Sequence, residues 1–325
     1  VESIGVGGGV EVIGRGAFSE NSLVSVKIPD SVREIGLGAF YGNNLTSVKI
    51  PGGVKEIGKQ AFDKNNLSSV EIGRGVKIIG ESAFQDNNIT SVRIPNSIEE
   101  IAKHAFYKNS LTSVDIPDGV KEIGDRAFAD NDLESVELGE GVEVIGRGAF
   151  GENNLTSVDL PDGLKKIGAA AFYKNDLSSV DIPDGVEEIG PSAFYSNNLS
   201  SVDIPGGVKE IGKQAFAENN LSSVKIPDNV KIIGEAAFFK NNLTSLEIPV
   251  TSIEKPNGDK EAVKGIGKGI FAANDLTSVE IPEGIKIIGS LAFFNNNLTS
   301  AKIPNSVKEV RKGAFQRNNL TSVDI

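Results

Sequence analysis

Along this chain the apolar residues return in one fixed order: Leu23, Val26, Ile28, Val32, Ile35, Ala39 and Phe40, and then the same order again from Leu45. Phenylalanine marks the interval most plainly, at Phe18, Phe40, Phe62, Phe84, Phe106, Phe128, Phe150, Phe172, Phe194, Phe216, Phe238, Phe271, Phe293 and Phe315. The step is 22 residues everywhere except between Phe238 and Phe271, where it is 33, one period plus eleven. Fourteen units share this register. No unit can bury seven apolar residues by itself, so the pattern predicts a stack of coils held by nearest-neighbour contacts. It therefore predicts one domain, 1–325, where length alone would suggest about two.

Within one unit, Leu23 to Asn44, the inward positions Val26 and Ile28 are two apart, as in a strand. Pro29 cannot donate to a ladder and Asp30 and Ser31 favour turns, so the chain bends off the sheet there. The return segment holds Gly36 and is too short for a stable α-helix, which predicts irregular or 3₁₀-like turns. The expected fold is an α/β-type repeat solenoid, mostly β, right-handed and weakly curved, with one parallel sheet of about 14–15 short strands. At about 4.8 Å per strand the rod is roughly 65–70 Å long. Val1 takes the Leu position and Ile325 closes the last strand, so terminal caps are expected outside this chain, or the ends stack on another chain.

An asparagine recurs in all fourteen units, from Asn21 through Asn43, Asn109 and Asn197 to Asn318, while its neighbour varies among Ser, Asn and Asp. Strictness beside tolerance predicts a buried amide bonded to the backbone of its own and adjacent coils. Left unpaired, such an amide costs about 1–3 kcal/mol. A surface turn would explain the residue type but not its strictness.

Composition narrows the function. The chain has no Cys, which removes disulfides, thiolate catalysis and zinc–thiolate sites. A net charge of −11 without a clustered basic surface argues against a nucleic-acid partner, and no apolar run is long enough to cross a bilayer. No signal peptide is present at Val1, so the chain reads as a fragment or processed form of something longer.

The segment from Ser25 to Phe40, with Ile28-Pro29, Val32-x-x-Ile35-Gly36 and Ala39-Phe40, resembles the BspA-like leucine-rich repeat of bacterial surface proteins, as does the Leu23-x-x-Val26-x-Ile28 spacing. The family's units usually run one residue longer and carry a Cys near the position of this Asn. The resemblance covers essentially the whole chain. It implies a secreted or cell-surface adhesin that contacts host matrix or cell-surface proteins, and it brings no catalytic residues and no cofactor.

An enzyme needs convergent titratable groups, and this chain offers a single histidine, His104, in a column otherwise holding Gly, Gln, Ser, Arg, Ala or Leu. The complete serine column, Ser25 to Ser322, has no adjacent base and reads as a polar ladder. Recognition is instead expected in the variable outward column between the inward Val and Ile. Five consecutive acids stand there, Asp115, Glu137, Asp159, Asp181 and Asp203, and four are followed three residues later by Asp118, Glu140, Asp162 and Asp184. Like charges at strand spacing repel, so a basic protein partner or a cation would relieve them. Carboxylate oxygens suit Ca²⁺, although no Asp-x-Asp-x-Asp-Gly loop is present. A solvated acidic face without a ligand is the plain alternative.

Aromatic residues follow the repeat Phe at Tyr41, Tyr107, Tyr173, Tyr195, Phe239 and Phe294, with Tyr173 and Tyr195 in adjacent units as candidate partner or glycan contacts. Lateral packing is their other reading. The insertion between Pro249 and Val263, with the turn Pro256-Asn257-Gly258-Asp259, predicts a loop or short hairpin at the sheet rim, either a binding loop or drift. Departures such as Ala301, Ile270 and Arg311 read as natural drift from the consensus. The leading expectation is a non-catalytic binding module engaging a protein through its sheet face; the second is a spacer that presents another domain.

Overall fold

A computed structural model describes residues 3–248, 253–254 and 263–324. It has two compact units, Val1–Gly163 and Leu164–Ile325, each a stack of coils without helix among the described residues. At a 22-residue offset every coil repeats its neighbour's backbone, so main-chain groups are satisfied between coils. Phe40 N–H donates to the Ala61 carbonyl at 2.8 Å, Phe62 to Ala83 at 2.8 Å and Gly58 to Ile35 at 3.0 Å.

In the N-terminal unit the expected strand is present at Ser25–Lys27, Ser47–Ile50, Ser69–Ile72, Ser91–Arg93, Ser113–Ile116 and Ser135–Leu138. The pairing is parallel and in register, Ser47 facing Ser69 and Ser113 facing Ser135. Burial alternates as the pattern demanded: Val48 and Ile50 are inside, Ser47 and Lys49 outside. The parallel ladder is in segments rather than continuous.

The return segment holds more than the expected turns. Between the expected turns it also carries a second parallel column of two-residue strands, Glu34–Ile35, Glu56–Ile57, Ile78–Ile79, Glu100–Ile101, Glu122–Ile123 and Val144–Ile145 among them. Ile35, Ile57 and Ile79 point into the core and the following glycine closes on the coil before; a Cβ on Gly58 would meet the Ile35 oxygen at 2.4 Å. Most coils keep glycine there, while Ala102 and Arg311 hold the same cross-coil bond with a side chain.

The C-terminal unit repeats the second column at Lys166–Ile167, Glu188–Ile189, Glu210–Ile211, Ile232–Ile233, Val263–Ile266, Ile287–Ile288 and Glu309–Val310. Its first column thins to single bridges linking Asp181, Asp203, Lys225 and Glu247, and resumes as strands at Ser278–Glu280, Ser300–Lys302 and Ser322–Asp324.

The core of each unit is a column of stacked rings. Phe40 and Phe62 lie 5.2 Å apart at 8°, and Phe194 and Phe216 5.4 Å apart at 8°, all four fully buried. Rings at this spacing add about 0.5–1.5 kcal/mol per pair beyond their area burial. The last of these coils buries less: Val310, in the inward column where Ile288 is fully buried, is 49% exposed.

Two turn positions per coil are left-handed, and most are not glycine. One is the column of Gly38 (φ 59), Gln60 (φ 55), His104 (φ 57) and Ala170 (φ 55); the other includes Lys64 (φ 54), Asp86 (φ 49) and Lys108 (φ 54). The His104 column thus sits at a left-handed turn whose φ is held in every coil whatever the side chain.

The insertion leaves the core register intact. Phe238 stacks on Phe271 at 5.9 Å across the 33-residue step, and Asn274 still accepts the Leu243 N–H at 3.1 Å. Ile253–Glu254 pairs antiparallel with Val263–Ile266, as the two arms of a hairpin would. The turn Pro256-Asn257-Gly258-Asp259 lies outside the described residues.

Candidate functional site

A strand in a coil stack turns alternate side chains outward, here the invariant serine, as at Ser113, and the variable column two residues on, as at Asp115. Asp115, Glu137 and Asp159 in the N-terminal unit, and Asp181 and Asp203 in the C-terminal unit, are all exposed. Parallel in-register pairing sets Asp115 directly beside Glu137, and Asp181 beside Asp203. Asp159 lies outside any strand ladder. The companion acids Asp118, Glu140, Asp162 and Asp184 are also exposed, in the turn after the strand. One is already engaged: Asp118 Oδ1 accepts the Glu140 N–H of the next coil at 3.0 Å, a charge-assisted bond that orders the turn.

Elsewhere the same geometry pairs opposite charges. Lys49 and Glu71 meet at 2.7 Å and Glu280 and Lys302 at 2.6 Å, each one coil apart in the outward column. Glu71 and its partner are about two-thirds exposed, so the pair is worth little in stability. From Asp115 to Asp162 the outward acids have no ion pair among the described residues, so that stretch keeps an uncompensated negative field.

Tyr173 and Tyr195 do come together, stacked at 5.4 Å and half-buried. They are also committed: Lys174 caps the Tyr173 ring at 5.1 Å, and Glu218 draws a hydrogen bond from Tyr195, whose hydroxyl is pushed up first by burial and then by that carboxylate. The same device recurs as Lys64 over Tyr41, Lys108 over Tyr107 and Lys240 over Phe239. These contacts favour the packing role of the column over the contact role. His104 tilts against Tyr107 at 5.2 Å, and burial is the main force lowering its pKa. Beside the serine column, the residue before it supplies a cross-coil hydroxyl bond, as where Ser68 Oγ donates to the Thr46 carbonyl at 3.2 Å.

The outward face also brings together two arginines from different columns. Arg74 stands in the turn column that holds Asp30, Asp118, Glu140 and Asp162, and Arg93 in the outward column next to Asp115. Both line one cavity of about 600 Å³ in the N-terminal unit. Aligning the turn column unit by unit would have shown the charge reversal at Arg74.

Comparison with known proteins agrees with this architecture. The BspA type leucine rich repeat region matches in six copies, over residues 11–134, 143–261 and 264–325. A leucine-rich repeat protein from Bacteroides ovatus is 26% identical with a TM-score of 0.68, over 90% of this chain and 82% of that one. A leucine rich cell surface protein from Faecalibacterium prausnitzii is 28% identical with a TM-score of 0.54, over 90% and 83%. The pneumococcal vaccine antigen PcpA, 19% identical with a TM-score of 0.52 over 97% and 84%, shares the fold. No curated protein matches in sequence. With its repeats matched along nearly all of its length, the chain belongs to the BspA-type leucine-rich repeat family.

Proposed function

We propose that this chain is a non-catalytic binding module, displayed at or beyond a bacterial cell surface, that engages a protein partner through the acidic outward face of its strands. The observation that carries the reading is the stretch Asp115, Glu137 and Asp159 with Asp118, Glu140 and Asp162, exposed and unpaired by any cation among the described residues, on a scaffold that pairs such charges elsewhere. Asp181, Asp184 and Asp203 give the C-terminal unit the same character. The partner that fits is a basic protein segment, whose ammonium or guanidinium groups would relieve the repulsion. The surface-protein description of the Faecalibacterium relative supports the location, and no helix among the described residues is long and apolar enough to cross a membrane. Among the described residues no three His, Cys, Asp or Glu side chains group as a metal site, which favours a protein over Ca²⁺.

The test is binding of the purified chain to immobilised matrix proteins and wall glycans, at low and physiological salt, with and without Ca²⁺. Salt-sensitive capture of a basic protein that D115K/D159K abolishes is expected. Capture untouched by the charge reversal overturns the acidic face as the binding surface, and silence across the panel moves the reading to a spacer.

A further inference from the structure

In an acidic protein an arginine without a carboxylate partner is conspicuous, and here two share one cavity. The cavity of about 600 Å³ lies between neighbouring coils of the N-terminal unit, lined by Arg74 and Arg93 with Asn96, over the apolar Val70, Ile72 and Pro95. Neither guanidinium makes an ion pair, and the Asn96 amide makes no hydrogen bond, among the described residues. The one carboxylate on the rim, Glu71, is held by Lys49 at 2.7 Å. Gly73 explains the space: flanking coils carry Pro51 and Pro95 at its position, and even a Cβ there would come within 2.6 Å of the Pro51 and Gly52 backbone. A second cavity of about 450 Å³ adjoins, sharing Arg93 and Asn96 and reaching Asp115 and Asp118.

We infer that the Arg74–Arg93 cavity is a subsite for a carboxylate side chain of the partner, so that the N-terminal unit reads a segment with an acidic residue followed by basic ones. This rests on the acidic-face reading above and makes it directional. Guanidinium forks present donors only to an incoming oxyanion, the Asn96 amide can turn its NH2 towards it, and bidentate Arg–carboxylate pairs are among the stronger polar contacts. One coil further on, the face changes sign at Asp115 and stays acidic through Glu137 and Asp159. Alternate side chains of an extended peptide are about 6.7 Å apart and coils about 4.8 Å, so a segment lying obliquely across the strands sets its acid in the cavity and its bases over the acids.

Two blocked peptides test this: one with a glutamate followed by lysines at three alternate positions, the other with glutamine in place of the glutamate. On the native chain at low salt the glutamate peptide should bind tighter by about three- to tenfold, the worth of one charge-assisted pair. In R74Q/R93Q the advantage should vanish or invert, since the remaining face repels a carboxylate. Equal binding of the two peptides to the native chain overturns the subsite and leaves the acidic-face reading standing. Failure of the glutamine peptide to bind sinks the acidic-face reading instead. In that event the arginine side-chain N–H resonances decide the subsite: N-acetylglutamate should shift those of Arg74 and Arg93, and unmoved signals overturn it.

Discussion

Asn65 joins two coils by its side chain alone: its Oδ1 accepts the Leu45 N–H at 3.1 Å, while its amide donates to the Phe40 carbonyl at 2.9 Å and the Phe62 carbonyl at 3.2 Å. Phe40 belongs to the preceding unit, while Leu45 opens the unit that Asn65 nearly closes, so one buried amide ties the start and end of its own coil to the coil before. The arrangement repeats, as with Asn131 between Leu111, Phe106 and Phe128. Asn131→Ala should therefore strand a buried N–H and carbonyl groups at a cost of about 2–3 kcal/mol, read as a lower urea midpoint. Asn131→Asp keeps the acceptor, loses the donors and buries a charge, so it should be at least as damaging. A neutral outcome for both would remove the ladder from the account.

Asp63 is the exception in the core. It is 1% exposed, its Oδ1 has no hydrogen-bond partner, and Gln60 reaches only Oδ2, at 3.3 Å. Burial, opposed by that Gln60 bond, pushes its carboxyl up to about 6. A raised folded-state value means the native chain holds the proton where the unfolded chain, near 3.8, has released it. Stability from this group is therefore full below about pH 4, falls as pH rises towards 6 and stays lost above. Asp63→Asn should be more stable than the parent at pH 7.5 by about 1–3 kcal/mol, with the gap closing at pH 4. Paired unfolding curves at the two pH values check it; a gap independent of pH contradicts it.

Gly38 occupies a left-handed turn at φ 59 with open space around it, the nearest atom to an added Cβ being 3.7 Å away. Gly38→Val should thus lose stability through backbone strain alone, by about 1–2 kcal/mol, while Gly38→Asn stays close to neutral. Equal loss for both in urea unfolding would point to something other than the dihedral.

Tyr195 and Tyr173, half-buried and tied to Glu218 and Lys174, should act on stability first. Tyr195→Ala should lower the unfolding midpoint, by about 1–2 kcal/mol for one partly buried aromatic, and leave partner affinity unchanged. Lost affinity at unchanged stability would return the pair to the binding face.

How much of the molecule is legible in its sequence follows from what repeats. The Phe column, the Asn amides and the alternation of Val48 and Ile50 were legible because each contact recurs at the same offset and leaves a strict residue behind. The two left-handed positions were not, since coil closure imposes them and Lys64, Ala170 and Leu291 comply without glycine. Nor was the second strand column, because backbone pairing between identical coils needs no side-chain signature beyond a buried Ile35 and a close Gly36. The acids were placed on the outward face correctly by the period-two rule. The meeting of Arg74 with Arg93 escaped because it is visible only when two columns are compared side by side.

The central claim is that the outward strand face does the binding, and amide hydrogen exchange of the chain with and without the lysine-bearing glutamine peptide tests it most directly. Added protection confined to the Asp115 to Glu140 segments and the Asp159–Asp162 turn is the predicted result. Protection falling instead on the turns that carry Tyr107 and Tyr173, with the strand face unchanged, would contradict it.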